Sequence, residues 1–428
     1  MSADAASNGP AGDGRRAPVD RAERLVTLDF IRGVAVLGIL FANIVAFGHP
    51  QLAYSWPLAV PGHGETADRA IWLAQYLVID GKMRGLFTLL FGAGMAMFMD
   101  RAWARGETSW LQVRRLGWLL LFGLAHFFLL FWGDILSLYA LAGLATLPMV
   151  RGDARALLFM GLAWYCGASL LLIASFTGTL SLELEPALRA AQPQAWDAIS
   201  QAWEQRVAAF HAQSAAYAQG SYWAEVAYTF THQSRLLAQY PYIAVFETIP
   251  LMLIGMGLYR YGLFSGAVDS ARMRRWGWGG VILGTALSLP LGLWAMLTGF
   301  PPWLTEFAAN AGGQLLRLPT ILGLAALLAL WAPRDLQGAG WLGERLVAAG
   351  RMAFSNYIGT SLVMLLVFRH WAGGLYGQLD RAGLLAAVAL GCLLMLAWSK
   401  PWLKKYRYGP LEWAWRCLTY GRLFPLKR

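Results

Sequence analysis

Ionisable side chains inside long apolar segments are the residues of this chain best able to do chemistry. His126 lies in an apolar segment with almost no other polar group. Asp134 lies eight residues later in the sequence, directly after Gly133. Histidine has the unperturbed pKa closest to neutral pH, so His126 could act as a general base. The alternative is a neutral histidine that makes one structural hydrogen bond. Asp134 could orient the imidazole, cap the next helix, or do both.

The depth of His126 follows from its position in the segment. Counting from Leu116 at about 1.5 Å per residue places the side chain about 15 Å into a bilayer, near its midplane. An ionisable residue at that depth is more often functional than incidental, because a charged side chain there costs ~2.5–3.5 kcal/mol on insertion scales.

The first apolar segment carries a line of polar groups. Asp29 and Arg32 are three residues apart, so they can pair along one helix face. Asn43 follows after about three further helical turns and projects from nearly the same face. We predict that this face meets a protein interior or a water-filled space. A purely structural Asp29–Arg32 pair is the alternative.

Three further charged groups are predicted near the outer ends of other apolar segments. Glu247 and Arg317 lie at matching depths in two of them, which predicts an ion pair, and Arg84 flanks the outer end of the second span. Together with Asp29 and Arg32, these three residues are the predicted substrate-binding groups.

Positioning these side chains requires membrane-spanning helices, and the composition predicts them. Of the 428 residues, 57% are hydrophobic and only 14% are charged, whereas soluble domains have about a quarter charged residues. We therefore predict an all-α, polytopic integral membrane protein. About ten transmembrane helices are expected, over residues 26–48, 70–99, 116–132, 135–150, 156–178, 241–262, 276–298, 314–333, 352–370 and 382–399, and the second segment could divide into an interfacial helix (69–80) and a shorter span (83–99).

The formal net charge of +11 reports orientation in the membrane, not nucleic-acid binding. With the N-terminus inside, the inner loops collect most of the arginines and lysines, Arg334 among them, as the positive-inside rule requires. Both termini are therefore predicted to be cytoplasmic. The cysteines Cys166, Cys392 and Cys417 have neither disulfide nor metal-ligand spacing, so no metal site is predicted.

The chain divides into four predicted parts. Residues 1–23 are a disordered cytoplasmic tail, 24–178 an N-terminal membrane bundle, 179–240 an extracytoplasmic cap, and 241–428 a C-terminal membrane domain with a cytoplasmic tail. Apolar residues recur at helical spacing within the third part, so amphipathic helices are expected there. They would form either a structural cover or a lid that recognises an acceptor.

Several motifs resemble the YeiB family in the order that family has them. The opening helix is Leu28-Asp29-Phe30-Ile31-Arg32-Gly33 with Asn43. The other motifs are residues 89–94, His126 with 133–136, residues 350–353 with 356–357, and residues 409–413. The resemblance covers residues 24–422, and the last third is similar to that family's C-terminal domain of unknown function.

The resemblance implies an activity. YeiB-like proteins are grouped with the transmembrane acyltransferases, such as heparan-alpha-glucosaminide N-acetyltransferase. These enzymes take an acyl group from a cytoplasmic thioester and deliver it to an acceptor across the membrane. Asn43 is similar to an active-site Asn of that enzyme, and His49 is the nearest counterpart of its His. The integral-membrane O-acyltransferases have a catalytic His where this chain has Asn43, so His126 is expected to be the base.

The leading hypothesis is an acyltransferase of the bacterial inner membrane, with acyl-coenzyme A as donor and a cell-envelope glycan or lipid as acceptor. Asp134 would orient His126, and Asn43 would hold the thioester or the developing oxyanion. The main alternative is a transporter of a small or lipidic anion, and a third is a non-catalytic scaffold. Acyl chain length, acceptor identity and oligomeric state, a homodimer included, stay open.

Overall fold

The computed structural model describes residues 26–333 and 338–428, and within them the chain is helical almost throughout, without a β-strand. The predicted tail (1–23) and Arg334 lie outside the described residues. The α-helices are α1 (Val26–Gly48), α2 (Thr66–Val78), α3 (Lys82–Ala104), α4 (Trp110–Leu129), α5 (Leu136–Thr146), α6 (Ala154–Leu184), α7 (Pro186–Ala191), α8 (Pro193–Gln219), α9 (Tyr222–Tyr228), α10 (Tyr240–Ile243), α11 (Ile249–Arg260), α12 (Ser270–Leu297), α13 (Pro302–Glu306), α14 (Gly312–Trp331), α15 (Gly340–Arg351), α16 (Ala353–Phe368), α17 (Arg381–Lys405) and α18 (Pro410–Tyr420).

The protein is an all-α, multi-pass membrane protein. Within the described residues, six helices are long and apolar enough to cross a bilayer: Val26–Gly48, Ala154–Leu184, Tyr222–Arg260, Ser270–Leu297, Pro302–Trp331 and Arg381–Lys405. The bent pair α15 and α16, with an 88° angle at the break, would add a seventh. Each of the ten predicted segments contains a helix, and the second divides into α2 and α3 as expected. The count of ten crossings stays a prediction.

The central helix is α1, which packs against α3, α15, α16 and α17. Its residues Leu28, Ile31 and Ala35 are fully buried, so the first apolar segment lies inside the bundle. By contrast, α6 and α12 each bury only 28% of their apolar stretch. These two helices expose large apolar side chains, as expected for surfaces that face lipid.

The α4–α5 hairpin positions the candidate base. Helix α5 has only 11 residues, about half of what is needed to cross a bilayer. Asp134, in the connection from Leu130 to Ile135 that precedes this short helix, is only 4% exposed. Residues 222–240 cover this connection: Phe230 stacks on Phe128 with ring centroids 4.1 Å apart, and the Tyr240 hydroxyl donates to the Asp134 carbonyl over 2.9 Å.

Residues 186–228 are largely helical, in α7, α8 and α9, as the periodicity predicted. Helix α8 is fixed to the bundle by Gln213, whose side-chain oxygen accepts from the Gln51 amide over 2.9 Å. Trp203 packs edge-on against Trp56 with ring centroids 4.9 Å apart. The division of the chain into domains stays a prediction.

Candidate active site

His126 is hydrogen-bonded on both ring nitrogens. Its Nδ1 lies 2.9 Å from Asp134 Oδ1, and its Nε2 lies 2.9 Å from Ser361 Oγ on α16. All three residues are at most 4% exposed. With Asp134 ionised, the carboxylate only accepts hydrogen bonds, so Nδ1 carries the proton and Nε2 is the acceptor that faces the Ser361 hydroxyl. This is the arrangement of a base whose tautomer is set by a carboxylate.

Asp134 has both of the predicted roles. Its Oδ1 pairs with His126, while its Oδ2 accepts from the Ser137 amide over 2.8 Å in the first turn of α5. Gly123 on α4 allows this approach, because a Cβ there would lie 2.4 Å from the Ser137 nitrogen and 2.9 Å from Asp134 Oδ2. The carboxylate is thus locked by two helices.

The structure changes the expected surroundings of His126. It lies in the last turn of α4, which begins at Trp110, and not halfway along the helix. The residue is buried all the same, because the short α5 and the cap cover the end of α4. Counting from Leu116 missed the first six residues of the helix, since these are more polar than the rest.

The predicted pair of Glu247 and Arg317 forms, and Arg84 joins it. Glu247 Oε1 lies 3.1 Å from Arg317 Nη2, and Glu247 Oε2 lies 2.5 Å from Arg84 Nη2. Two guanidinium groups share one carboxylate, so these three side chains have a formal charge of +1 in the predicted outer half of the bundle. The Arg84 side chain is 30% exposed, whereas that of Arg317 is 6% exposed. Arg84 is therefore the member that an anionic ligand could reach.

A cavity of about 290 Å³ opens on the predicted cytoplasmic side. Its lining contains two carboxylates, Asp29 and Glu412, and seven arginines: Arg32, Arg101, Arg105, Arg115, Arg351, Arg407 and Arg416. Its other lining is mostly apolar and includes Phe87, Leu136, Tyr139 and Tyr357. Along α3 and the residue that follows it, the lining runs from Phe87 to Arg105, about 27 Å at 1.5 Å per residue. The cavity therefore joins a cationic mouth to an apolar inner end.

Tyr357 connects this inner end to His126. Its ring centroid lies 5.0 Å from that of His126, and its hydroxyl accepts from the Ile135 amide over 3.3 Å, beside Asp134. Ser361 is one helical turn further along α16, and its single hydroxyl proton can go either to the Tyr357 carbonyl, over 3.1 Å, or to His126 Nε2. The cavity thus ends one residue layer away from the buried Ser361–His126–Asp134 group.

The C-terminal helix forms part of the cavity wall. Glu412 accepts hydrogen bonds from the amides of Phe354 and Ser355, at the first turn of α16, over 2.8 and 3.1 Å. The Trp415 indole donates to the Arg115 carbonyl over 2.8 Å, and the Arg115 guanidinium lies over the Trp415 ring. These contacts fix α18 across α4 and α16, so α18 forms one wall of the cavity.

The remaining predicted residues lie apart from His126. Asp29 and Arg32 pair over 3.2 Å and line the cavity. Asn43 is half-buried on α1, one turn before Phe47, which stacks on Phe131 with centroids 4.0 Å apart. His49 is 1% exposed and lies 2.8 Å through Nε2 from the Leu379 carbonyl. Burial lowers the pKa of His49 to about 4, so at neutral pH it is an uncharged donor to that carbonyl.

Three residues of this region were missed in the sequence: Ser361, Tyr357 as a neighbour of His126, and Glu412 as a helix cap. Ser361 is 235 residues from its partner, and a serine within an apolar helix gives no signal of its own. In residues 26–333 and 338–428, no cluster of His, Cys, Asp and Glu side chains is placed to hold a metal ion.

Comparison with known proteins assigns the chain to a family. Residues 258–422 match a family described as "Protein of unknown function (DUF418)". The uncharacterized protein YeiB of Escherichia coli (strain K12) is 33% identical over 411 residues, which cover 93% of this chain and 96% of the relative. The chain belongs to the YeiB family. A second relative, the uncharacterized protein YxaH of Bacillus subtilis (strain 168), is 29% identical over 417 residues, or 95% of this chain and 96% of the relative.

The family assignment confirms the resemblance read from the motifs of the first helix, the His126 region and the tail. The matched C-terminal region begins in α11 and ends just after α18, so it contributes Ser361 and one wall of the cavity. No solved structure matches the chain.

Proposed function

We propose that this YeiB-family protein is a transmembrane acyltransferase of the bacterial inner membrane. It would move an acyl group, acetyl first of all, from a cytoplasmic coenzyme A thioester to a hydroxyl or amine of a cell-envelope glycan or lipid. The observation that carries the proposal is the cavity, whose arginine-rich mouth lies on the predicted cytoplasmic side and whose apolar end stops at Tyr357, beside His126.

The donor fits the two ends of the cavity. Coenzyme A carries phosphate groups at one end and the thioester at the end of a thin, flexible arm. Arginine binds phosphate through two parallel hydrogen bonds, and seven arginines line the cavity. The arm would extend between Phe87, Tyr139 and Leu136 toward Tyr357. Arg32 would pair either with Asp29 or with a phosphate group of the coenzyme.

The roles of the polar side chains follow from their placement. His126 Nε2 would take a proton from the attacking nucleophile, and Asp134 would hold the imidazole in the required tautomer. Asn43 lies apart from His126 and is not part of the cavity lining, so the oxyanion role expected for it from the sequence is not carried into this proposal. The cluster of Arg84, Glu247 and Arg317 would bind an acceptor from the outer side through its surplus positive charge.

The same cavity supports one other function. An anionic head group at the arginines with a hydrocarbon chain among the apolar residues describes a lipidic anion, so a transporter of such a molecule is the second candidate. Transport would move solute without forming or breaking a covalent bond.

Binding of coenzyme A to the purified protein in nanodiscs distinguishes the two ligands. Acetyl-coenzyme A should bind saturably, and removal of its 3′-phosphate should weaken the affinity. Replacing both Arg105 and Arg407 with Gln should weaken binding roughly tenfold, or about 1.4 kcal/mol. The matched control is Arg274→Gln, which removes a cation from an exposed site that is not part of the cavity lining. No saturable binding, or equal losses in both variants, would contradict the assignment of the cavity.

A further inference from the structure

We infer that Ser361 is a nucleophile that carries the acyl group as a covalent ester between donor and acceptor. The inference rests on the proposed function, because the acyl group comes from the thioester bound in the cavity. Its basis is the chain of contacts Ser361 Oγ to His126 Nε2 and His126 Nδ1 to Asp134 Oδ1, each 2.9 Å long. When the hydroxyl turns its proton from the Tyr357 carbonyl to Nε2, it can transfer that proton to the imidazole as it attacks a carbonyl.

Ser361 lies on α16 between an inner and an outer space, so an acyl group bound to it could pass from one to the other. Tyr357, one turn before it, lines the cavity on the predicted inner side. Leu365, one turn after it, lines a narrow crevice on the outer side together with Phe131 and Arg369. Successive turns are about 5.4 Å apart, so Ser361 lies between the two spaces. An acyl group held on its oxygen would have left the inner space before it meets the acceptor.

Tyr357 separates Ser361 from the inner cavity. Tyr357 is 4% exposed and Ser361 only 1%, so the acyl group reaches the hydroxyl when the Tyr357 ring moves aside. The outer crevice is small, about 10 Å³, which is room for about one water molecule. Ser361 is therefore separated from the inner cavity by the Tyr357 ring, and on the other side it faces only a small crevice. The coenzyme itself would stay in the inner cavity.

The two half-reactions balance. In the first, Ser361 Oγ bonds to the thioester carbonyl carbon while its proton passes to His126 Nε2; the carbon–sulfur bond breaks, and the departing sulfur takes that proton to become the free thiol. In the second, the acceptor hydroxyl or amine gives its proton to His126 and bonds to the carbonyl carbon; the Ser361 ester bond breaks, and the proton returns to Oγ. Apart from donor and acceptor, no other reactant is needed.

The test is the intact mass of the purified full-length protein after incubation with acetyl-coenzyme A and no acceptor. We expect the mass to rise by one acetyl group, with the modification on the peptide that contains Ser361, and to return to its starting value when envelope extract is added. Ser361→Ala should abolish the adduct. Ser361→Cys should still take up acetyl, as a thioester that hydroxylamine removes.

The matched control is Thr360→Val, which removes the neighbouring hydroxyl of α16. Thr360 bonds to the Asn356 and Tyr357 carbonyls and not to His126, so this variant should form the adduct as wild type does. Correct folding of each variant is checked by its elution as a single species and its unfolding temperature.

The possible failures are distinguishable. If Ser361→Ala folds and still transfers acetyl to an acceptor, or if transfer proceeds with no adduct on Ser361, the covalent step is wrong while the acyltransferase proposal stands. If wild type neither binds the coenzyme nor transfers acetyl, the proposed function fails, and the covalent step fails with it.

Discussion

At the scale of the residue, the site depends on polar side chains that are mostly buried and that hydrogen-bond to one another. His126 and Asp134 were predicted from the sequence because ionisable residues are conspicuous in apolar segments. Glu247 and Arg317 were predicted to pair for the same reason, and they do. Two contacts were not predicted, that of Ser361 with His126 and that of Arg84 with Glu247. A contact between distant helices depends on packing, which residue spacing along one helix does not reveal.

His49 provides a prediction about pH. The pKa of His49 is lowered from 6.5 to about 4: burial lowers it most, the hydrogen bond to the Leu379 carbonyl opposes the shift, and the charge of Arg381 adds to the lowering. The unfolded chain therefore binds a proton at a higher pH than the folded chain does. The free energy of unfolding is therefore at its full value above pH 6.5, where His49 is neutral in both states. It falls by up to roughly 3 kcal/mol as the pH drops toward 4.

The measurement is the unfolding temperature of wild type and His49→Gln between about pH 7 and about pH 5. Glutamine keeps a donor for the Leu379 carbonyl but does not titrate. The temperature of wild type should fall more steeply with acidification than that of the variant. Parallel slopes for the two proteins would show that His49 is not held neutral by burial.

At the scale of the element, the long apolar helices were predictable and the broken ones were not. The segments for α1, α6, α12 and α17 were read from continuous hydrophobicity. Helix α15 was missed, since Gly340–Arg351 is short, amphipathic and rich in glycine. Its 88° bend toward α16 follows from packing against α1, which local propensity does not encode.

The crossing of α1 and α15 gives a prediction about packing. A Cβ on Gly350 would lie 1.7 Å from the Asp29 carbonyl oxygen, and one on Gly33 would lie 2.0 Å from that of Leu346. These contacts are with backbone, so Gly350→Ala must push the helices apart. The expected loss is about 1–3 kcal/mol of stability. It should also weaken coenzyme A binding, because Gly350 lines the cavity.

The control for that variant is Gly359→Ala in α16, where nothing lies within 4 Å of the added Cβ. Alanine is favoured over glycine in a helix by up to about 1 kcal/mol, so this variant should be as stable as wild type or slightly more so. Unfolding temperatures in the same detergent compare the two variants. An unchanged temperature for Gly350→Ala would contradict the close helix crossing.

At the scale of the whole molecule, composition was enough to predict an all-α membrane protein, and motif order was enough to predict the YeiB family. The cavity was not predictable. It is built from α1, α3, α4, α5, α15, α16, α17 and α18, so its walls come from both ends of the chain. The inner arginines were interpreted first as orientation signals and only secondarily as ligands for the phosphates of a coenzyme A thioester, and only the three-dimensional arrangement brings seven of them into one cavity lining.

The most direct test of the account follows labelled acetyl from acetyl-coenzyme A to an acceptor, with purified protein and an extracted envelope fraction. Wild type should transfer label, and His126→Ala should lower the rate by ~10²–10⁴, the usual contribution of a general base. His211→Ala, at an exposed histidine of α8, should match wild type. Full transfer by a folded His126→Ala protein would contradict the assigned base, and no transfer by wild type, together with gradient-dependent flux of a lipidic anion, would contradict the acyltransferase itself.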